Sequence, residues 1–249
     1  MSGIRRSRRF SVPAWALRTV VYGALSVIAI VAIVLTVVAL ASRGSDAASD
    51  DSVPAISVAT SPTAVFIGDS FTQGVGASGP EARWVTLVAL KEGWEPLNLG
   101  QSGSGYVAVA SAADCPDADC RTFPQSATLA VDDKPAVVVI AGSQSDSEAF
   151  AKTPAIVEAA ITATFQAVRA GLPNAKIIAM GVPSIGTPSK SVTAYDAKIK
   201  DAVLAVGGTF VNLLDPPLLK PSLIGPDGVH PNDAGYDAIA QRVEAGILP

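Results

Sequence analysis

The sequence predicts a three-layer α/β/α domain on a mostly parallel sheet, preceded by one N-terminal transmembrane helix. Three observations carry this. Apolar β-type runs alternate about five times with helical stretches along residues 63–249, the pattern of a parallel sheet buried between helices. One run, Ala136–Ala141, is apolar at every position, as a strand covered on both faces must be. At the other end of the chain, Val20–Ala41 is 22 residues without a charge.

The elements follow in order. Thr63–Ile67 is a short β-rich run ending in Gly-Asp-Ser. Ala82–Lys91 has helical spacing, with Trp84, Leu87, Val88 and Lys91 near one face. Pro96–Leu99 and Ala136–Ala141 are strands, and Thr153–Ala170 is a helix stopped by Gly171 and Pro173. Lys176–Met180 is another buried strand, Val192–Val206 an amphipathic helix ending at Gly207-Gly208, Thr209–Leu214 a strand and Asp233–Ala245 the last helix. Ligands of such sheets bind beyond the carboxyl ends of the strands, so reactive residues are expected just after them.

The N-terminal quarter has a different composition. Hydrophobic residues make up 49% of the chain and charged ones only 16%, with a mean hydropathy of +0.39; soluble domains average about 25% charged. At about 1.5 Å per residue, a helix over residues 20–41 spans a hydrocarbon core of about 30 Å. Arg5, Arg6, Arg8, Arg9 and Arg18 precede it without an acid among them. That bias places residues 1–19 in the cytoplasm as a basic flank and everything after Ala41 outside. Ala39-Leu40-Ala41 is also an A-x-A-like cleavage site, so the segment reads either as a single-pass membrane anchor or as a signal whose removal would release a secreted domain. The run is longer than the usual apolar core of a signal peptide, which favours the anchor. Residues 42–62, rich in Ser, Ala, Asp and Pro, read as a flexible linker, and residues 63–249 suffice for one domain.

The composition excludes disorder of the whole chain, a disulfide-dense scaffold and a coiled coil. The net charge of −4 hides an asymmetry: beyond the five N-terminal arginines, 13 basic residues face 22 acidic ones, a net of −9. A body with that balance is not built to bind nucleic acid, because phosphate contacts need Lys and Arg. Cys115 and Cys120, in Cys-Pro-Asp-Ala-Asp-Cys, read as a disulfide pinching a surface loop in an oxidising compartment, or as two free thiols. Two cysteines without a nearby histidine are too few for structural zinc.

Three segments bear chemistry. Ser70 follows the first strand directly in Gly68-Asp69-Ser70-Phe71, where its hydroxyl can face a cleft; Asp69-Ser70 could equally cap a turn. Asp227-Gly228-Val229-His230 precedes the last helix, and Asp227 lies close enough in sequence to orient an imidazole that takes a serine proton. His230 is the only histidine of the chain, so any Ser-His chemistry must use it. The loops after the second and third strands, Asn98–Gly105 and Gly142–Asp146, could supply oxyanion donors or be simple turns.

Together, in this order and each after a strand, these segments resemble the SGNH (GDSL-type) hydrolase family, over about residues 63–249. The resemblance implies an SGNH-hydrolase, flavodoxin-like domain and a Ser70–His230–Asp227 triad. It also implies an oxyanion hole from the N–H groups of Ser70 and Gly103 and the amide of Gln144, with no metal or cofactor. The third block departs from the family's Gly-x-Asn-Asp: Gly142-Ser143-Gln144-Ser145 places a longer amide where Asn is expected. The implied function is an extracytoplasmic serine esterase acting on acyl or acetyl esters of cell-envelope glycans or of small lipid-type molecules. A weakly active or non-catalytic glycan- or partner-binding module, and an O-acyltransferase, are the alternatives.

Overall fold

The computed structural model describes residues 61–113, 115 and 119–247. The expected basic flank, transmembrane segment and all but the end of the linker lie outside these residues. Among the described residues no helix is long and apolar enough to cross a membrane.

Five strands, β1 (Thr63–Ile67), β2 (Glu95–Asn98), β3 (Val137–Ala141), β4 (Lys176–Met180) and β5 (Thr209–Val211), form one sheet in the order β2-β1-β3-β4-β5. Every pairing is parallel. The helices are α1 (Ser70–Gln73), α2 (Trp84–Glu92), α3 (Phe123–Asp132), α4 (Ser147–Lys152), α5 (Pro154–Gly171), α6 (Lys190–Ala205) and α7 (Asp233–Ile247).

Period-two alternation divides the sheet between two cores. Val65, Ile67, Val138, Ile140, Ile177 and Ala179 pack against α3, α5 and α6. Ala64, Phe66, Val139, Ala141, Ile178 and Met180 pack against α2 and α7 through Trp84, Val88, Tyr236 and Ile239. β3 is buried at all five positions because it has a strand on each side and helices on each face. β2, at the edge, is the one place where a proline (Pro96) sits in a strand, since an edge strand need not donate from every residue.

The structure trims the starts of the expected helix at Ala82 and strand at Ala136 to Trp84 and Val137, and shortens the last strand most. β5 stops at Val211 rather than Leu214, because the Asn212 side chain accepts from the N–H groups of Leu214 (2.7 Å) and Asp215 (3.0 Å) and turns the chain away from the sheet. It also adds α3, whose start is marked by a reciprocal capping box between Thr122 and Gln125. Cys115 and Cys120 form a disulfide.

Candidate active site

The serine sits where chain direction changes. β1 delivers Gly68, Asp69 and Ser70 to the carboxyl edge of the sheet, and Ser70 begins α1. The Asp69 side chain caps α1 by accepting from the Phe71 N–H at 3.0 Å. As the first residue of a helix, Ser70 has no intrahelical acceptor for its own N–H. The turn is fixed from behind: Trp84 Nε1 donates to the Phe71 carbonyl (3.1 Å) and Asn98 Nδ2 to the Thr72 carbonyl (2.8 Å).

The histidine arrives from the far end of the sequence. Before α7, Asp227 Oδ1 accepts from the backbone N–H groups of Val229 and His230, both at 2.9 Å, which folds the loop back on itself. The other oxygen, Oδ2, lies 2.6 Å from His230 Nδ1, and His230 Nε2 lies 2.9 Å from Ser70 Oγ. The N–H of Val229 first, then the imidazole and the N–H of His230, hold the Asp227 carboxyl down at about 2. An ionised carboxylate can only accept, so Nδ1 of the neutral ring carries the hydrogen and Nε2 is left to accept from the Ser70 hydroxyl. That is the tautomer a general base needs. The Phe71 ring lies 5.7 Å from the imidazole centroid.

The neighbouring loops are bound to the α1 turn and to neighbouring segments. Ser102 N–H donates to Gln73 Oε1 (2.9 Å), and the Gly100 N–H to Asn98 Oδ1 (2.9 Å), so the loop after β2 is held against α1. Gly103 has φ 78°, a left-handed conformation that glycine adopts without strain. Beside it, the Gln101 side-chain amide donates through Nε2 to the Asp119 carbonyl (2.7 Å) and accepts through Oε1 from the Arg121 N–H (2.8 Å), fastening the disulfide-bearing loop to the same edge. Gln144, on the loop after β3, uses its N–H on Asp69 Oδ2 (3.0 Å) and one side-chain N–H on the Pro183 carbonyl (2.8 Å).

The structure therefore brings Ser70, His230 and Asp227 into one hydrogen-bonded chain and sets Gly103 and Gln144 on the two adjoining loops. An amide nitrogen has two hydrogens, so Gln144 keeps one donor beyond the bond to Pro183. Three acidic residues support this arrangement: Asp69, whose capping role its sequence position suggests, and Asp146 and Asp233, whose partners the sequence does not reveal. Asp69, 1% exposed, takes one N–H from α1 and one from the β3 loop; burial pushes its carboxyl up to about 6 against the pull of the Phe71 and Gln144 N–H groups. Asp146, fully buried, accepts from the N–H groups of Tyr106, Val107 (3.2 Å) and Ala108 (2.8 Å) and from the Tyr195 hydroxyl (3.2 Å), joining the β2 and β3 loops. Asp233, at the start of α7, binds the backbone and hydroxyl of Ser78 at 2.8 and 2.6 Å, so the segment after α1 is pinned beside His230. Asp146 follows the Gly-Ser-Gln-Ser run, and only its place after a strand could have marked it.

Comparison with known proteins is consistent with this geometry. Residues 66–238 match the GDSL-like lipase/acylhydrolase family. The chain is 28% identical over 196 residues to the GDSL lipase Rv0518 of Mycobacterium tuberculosis (strain ATCC 25618 / H37Rv), covering 73% of this chain and 79% of that one. Its fold is similar to that of TesA (TM-score 0.59, 20% identity, 75% of this chain and 98% of that one). It is also similar to a family 3 carbohydrate esterase of Clostridium thermocellum (TM-score 0.54, 18% identity, 75% and 94%).

Proposed function

Since the chain belongs to the GDSL-like lipase/acylhydrolase family and is an SGNH-type serine ester hydrolase, we propose that Ser70, His230 and Asp227 are its catalytic triad and that it cleaves acyl or acetyl esters outside the cytoplasm. The observation that carries the triad is the continuous bond chain from Asp227 Oδ2 through both ring nitrogens to Ser70 Oγ, at 2.6 and 2.9 Å.

In the first half-reaction Ser70 Oγ attacks the ester carbonyl carbon while its proton passes to His230 Nε2. The carbonyl π electrons move to oxygen, and the resulting anion is held by the N–H groups of Ser70 and Gly103, with the second Gln144 amide hydrogen as a third donor. Asp227 keeps the ring oriented and stabilises the imidazolium. Collapse expels the alkoxide, which leaves as the alcohol with the Nε2 proton. In the second half-reaction water replaces the alcohol: His230 takes its proton, the hydroxide adds to the acyl carbon, and the acid departs with the proton returned to Ser70. No further group is required for these proton and electron movements to balance.

The charge bias around Val20–Ala41 supports the extracytoplasmic location, and a tethered domain supports an envelope glycan ester as substrate. The carbohydrate esterase among the structural neighbours fits that substrate class, and the lipase among the sequence relatives fits a lipid-type ester. The test of the chemistry is p-nitrophenyl acetate hydrolysis by the purified full chain and its Ser70→Ala variant. Turnover that depends on Ser70 supports the proposal, and equal turnover by the variant overturns the triad. The mass of the mature chain tests the anchor: a start at Met1 supports it, and a start at Ser42 makes the domain secreted.

A further inference from the structure

The Cys115–Cys120 disulfide lies beside the loop of Gly103, and the mechanism gives it no part. One side chain joins the two. Gln101 is 4% exposed, and its amide bonds the backbone on either side of Cys120. Nε2 donates to the Asp119 carbonyl at 2.7 Å, and Oε1 accepts from the Arg121 N–H at 2.8 Å. A neighbouring strand would bond the flanks of Cys120 in the same way, and the amide stands in for one. The same two residues are joined by an ion pair between the Asp119 carboxylate and the Arg121 guanidinium. The disulfide then fixes Cys120, the residue between them, to Cys115.

The backbone of Gln101 sets Gly103. The Gln101 carbonyl accepts from the Ser104 N–H at 3.1 Å, which closes a four-residue turn over Gln101–Ser104. Gly103 is third in that turn, and its φ of 78° is the value a type II turn puts there. The Gly103 N–H therefore belongs to the central peptide of a turn whose first residue is Gln101. That residue is also tied toward the nucleophile: its N–H donates to the carbonyl of Gly68, two residues before Ser70, at 3.0 Å. The Ser104 hydroxyl donates to the Gln101 carbonyl at 2.8 Å and reaches that of Gly68 at 3.2 Å. An amide as buried as that of Gln101 cannot lose its partners without cost. When Asp119 and Arg121 are free to move off, the amide must turn to water or another partner, and the turn that carries Gly103 shifts with it.

We propose that Gln101 is a positioning residue that couples the Cys115–Cys120 disulfide to the oxyanion donor Gly103, so that turnover is fast with the disulfide closed and slow with it open. The opening step is thiol–disulfide exchange with a dithiol. A thiolate of the dithiol attacks one cysteine sulfur and the S–S bond breaks. The second sulfur of the dithiol then displaces the mixed disulfide. The dithiol is oxidised by two electrons to its cyclic disulfide, and its two protons end on Cys115 and Cys120. Cys120 is half-buried rather than enclosed, which leaves it open to a small dithiol. This coupling rests on the esterase reading above, with Gly103 as an oxyanion donor.

The experiment follows p-nitrophenyl acetate hydrolysis by the purified full chain and by its Gln101→Met variant. Each is assayed oxidised, reduced with dithiothreitol until both cysteines are free thiols, and reoxidised, with the dithiothreitol removed before assay. An oxyanion donor lost outright costs about 10²–10³ in kcat, so a donor held loosely is expected to cost about tenfold, with KM changed by less than about twofold. Reoxidation should restore the rate. Gln101→Met keeps the bulk of the side chain and loses both bonds; its kcat should fall about as far, and reducing it should do nothing more. Reduction of the unsubstituted chain needs no substitution, so it tests the coupling whether or not Gln101→Met folds. An unchanged kcat on reduction, or an equal further loss on reducing Gln101→Met, overturns the coupling and leaves the esterase intact. So does a loss of rate that only matches the unfolded fraction seen by tryptophan fluorescence. Turnover of no ester by the oxidised chain overturns the esterase reading and the coupling with it.

Discussion

Replacing Asp69 with asparagine should separate stability from pH in a calculable way. The carboxylate is 1% exposed and bound only by two backbone N–H groups, each at 3.0 Å. Burial raises its pKa from 3.8 to about 6. A carboxyl whose folded pKa lies above its unfolded value binds more protons in the native state over the interval between them. Stability then falls as pH rises through that window, from about 4 to about 6. Two units at 1.36 kcal/mol each give about 3 kcal/mol lost across it. Asparagine cannot ionise, so Asp69→Asn removes this dependence. It also turns one acceptor into a donor facing an N–H, an unsatisfied contact worth about 1–3 kcal/mol at every pH. The variant should therefore be less stable than the parent at pH 4, and the difference should shrink or reverse by about 3 kcal/mol at pH 7. Urea unfolding of both chains followed by tryptophan fluorescence measures this, since Trp84 is buried in the core beside α1. Parallel stability–pH curves for the two proteins would show that Asp69 does not carry this dependence, because the difference between them isolates it from every other titrating group.

Other expected outcomes concern the chemistry. Asp227→Asn should lower kcat by about 10⁴, as the equivalent change does in another serine hydrolase, because an amide donor beside Nδ1 favours the wrong tautomer; initial rates with p-nitrophenyl acetate check it, and a loss below tenfold contradicts the assigned role. Gln144→Ala should lower kcat by about 10²–10³, the cost of one oxyanion donor elsewhere; an unchanged kcat would show that its amide serves Pro183 alone. Asp146→Ala leaves the N–H groups of Tyr106, Val107 and Ala108 and the Tyr195 hydroxyl without their acceptor. It should cost about 3 kcal/mol or more of stability, read from denaturant midpoints, and a shift under 1 kcal/mol would refute the view that it joins the two loops.

Much of this architecture was legible because the sequence states it in apolar periodicity. β1 and β4 begin and end where their apolar runs do, and β3 is uniformly apolar because both its faces are covered. The meeting of Ser70, His230 and Asp227 was legible for a different reason: with a single histidine any Ser-His pair must use it, and Asp227 lies three residues away. What was not legible depends on side chains that meet only in the folded chain. Asn212 ends β5 by bonding two N–H groups ahead of it, so the apolar Leu213 and Leu214 extend the run in sequence but not in the sheet. α3 was obscured because its exposed face carries Leu129 among polar positions, although Thr122 and Gln125 spell its cap. Asp146 and Asp233 look like loop and helix-start acids, and their partners lie 38–49 and 155 residues away. Gln144 is the intermediate case, since its position was readable but its bond to Pro183 was not.

The central claim is that His230, oriented by Asp227, makes Ser70 a nucleophile. Its most direct test is labelling of the purified, folded full chain with a fluorophosphonate, followed by peptide mass spectrometry. A single phosphonyl adduct is expected on Ser70 and should be lost in His230→Ala, since serine without its base reacts slowly. A folded chain that takes no adduct, or takes one on another residue, would contradict it.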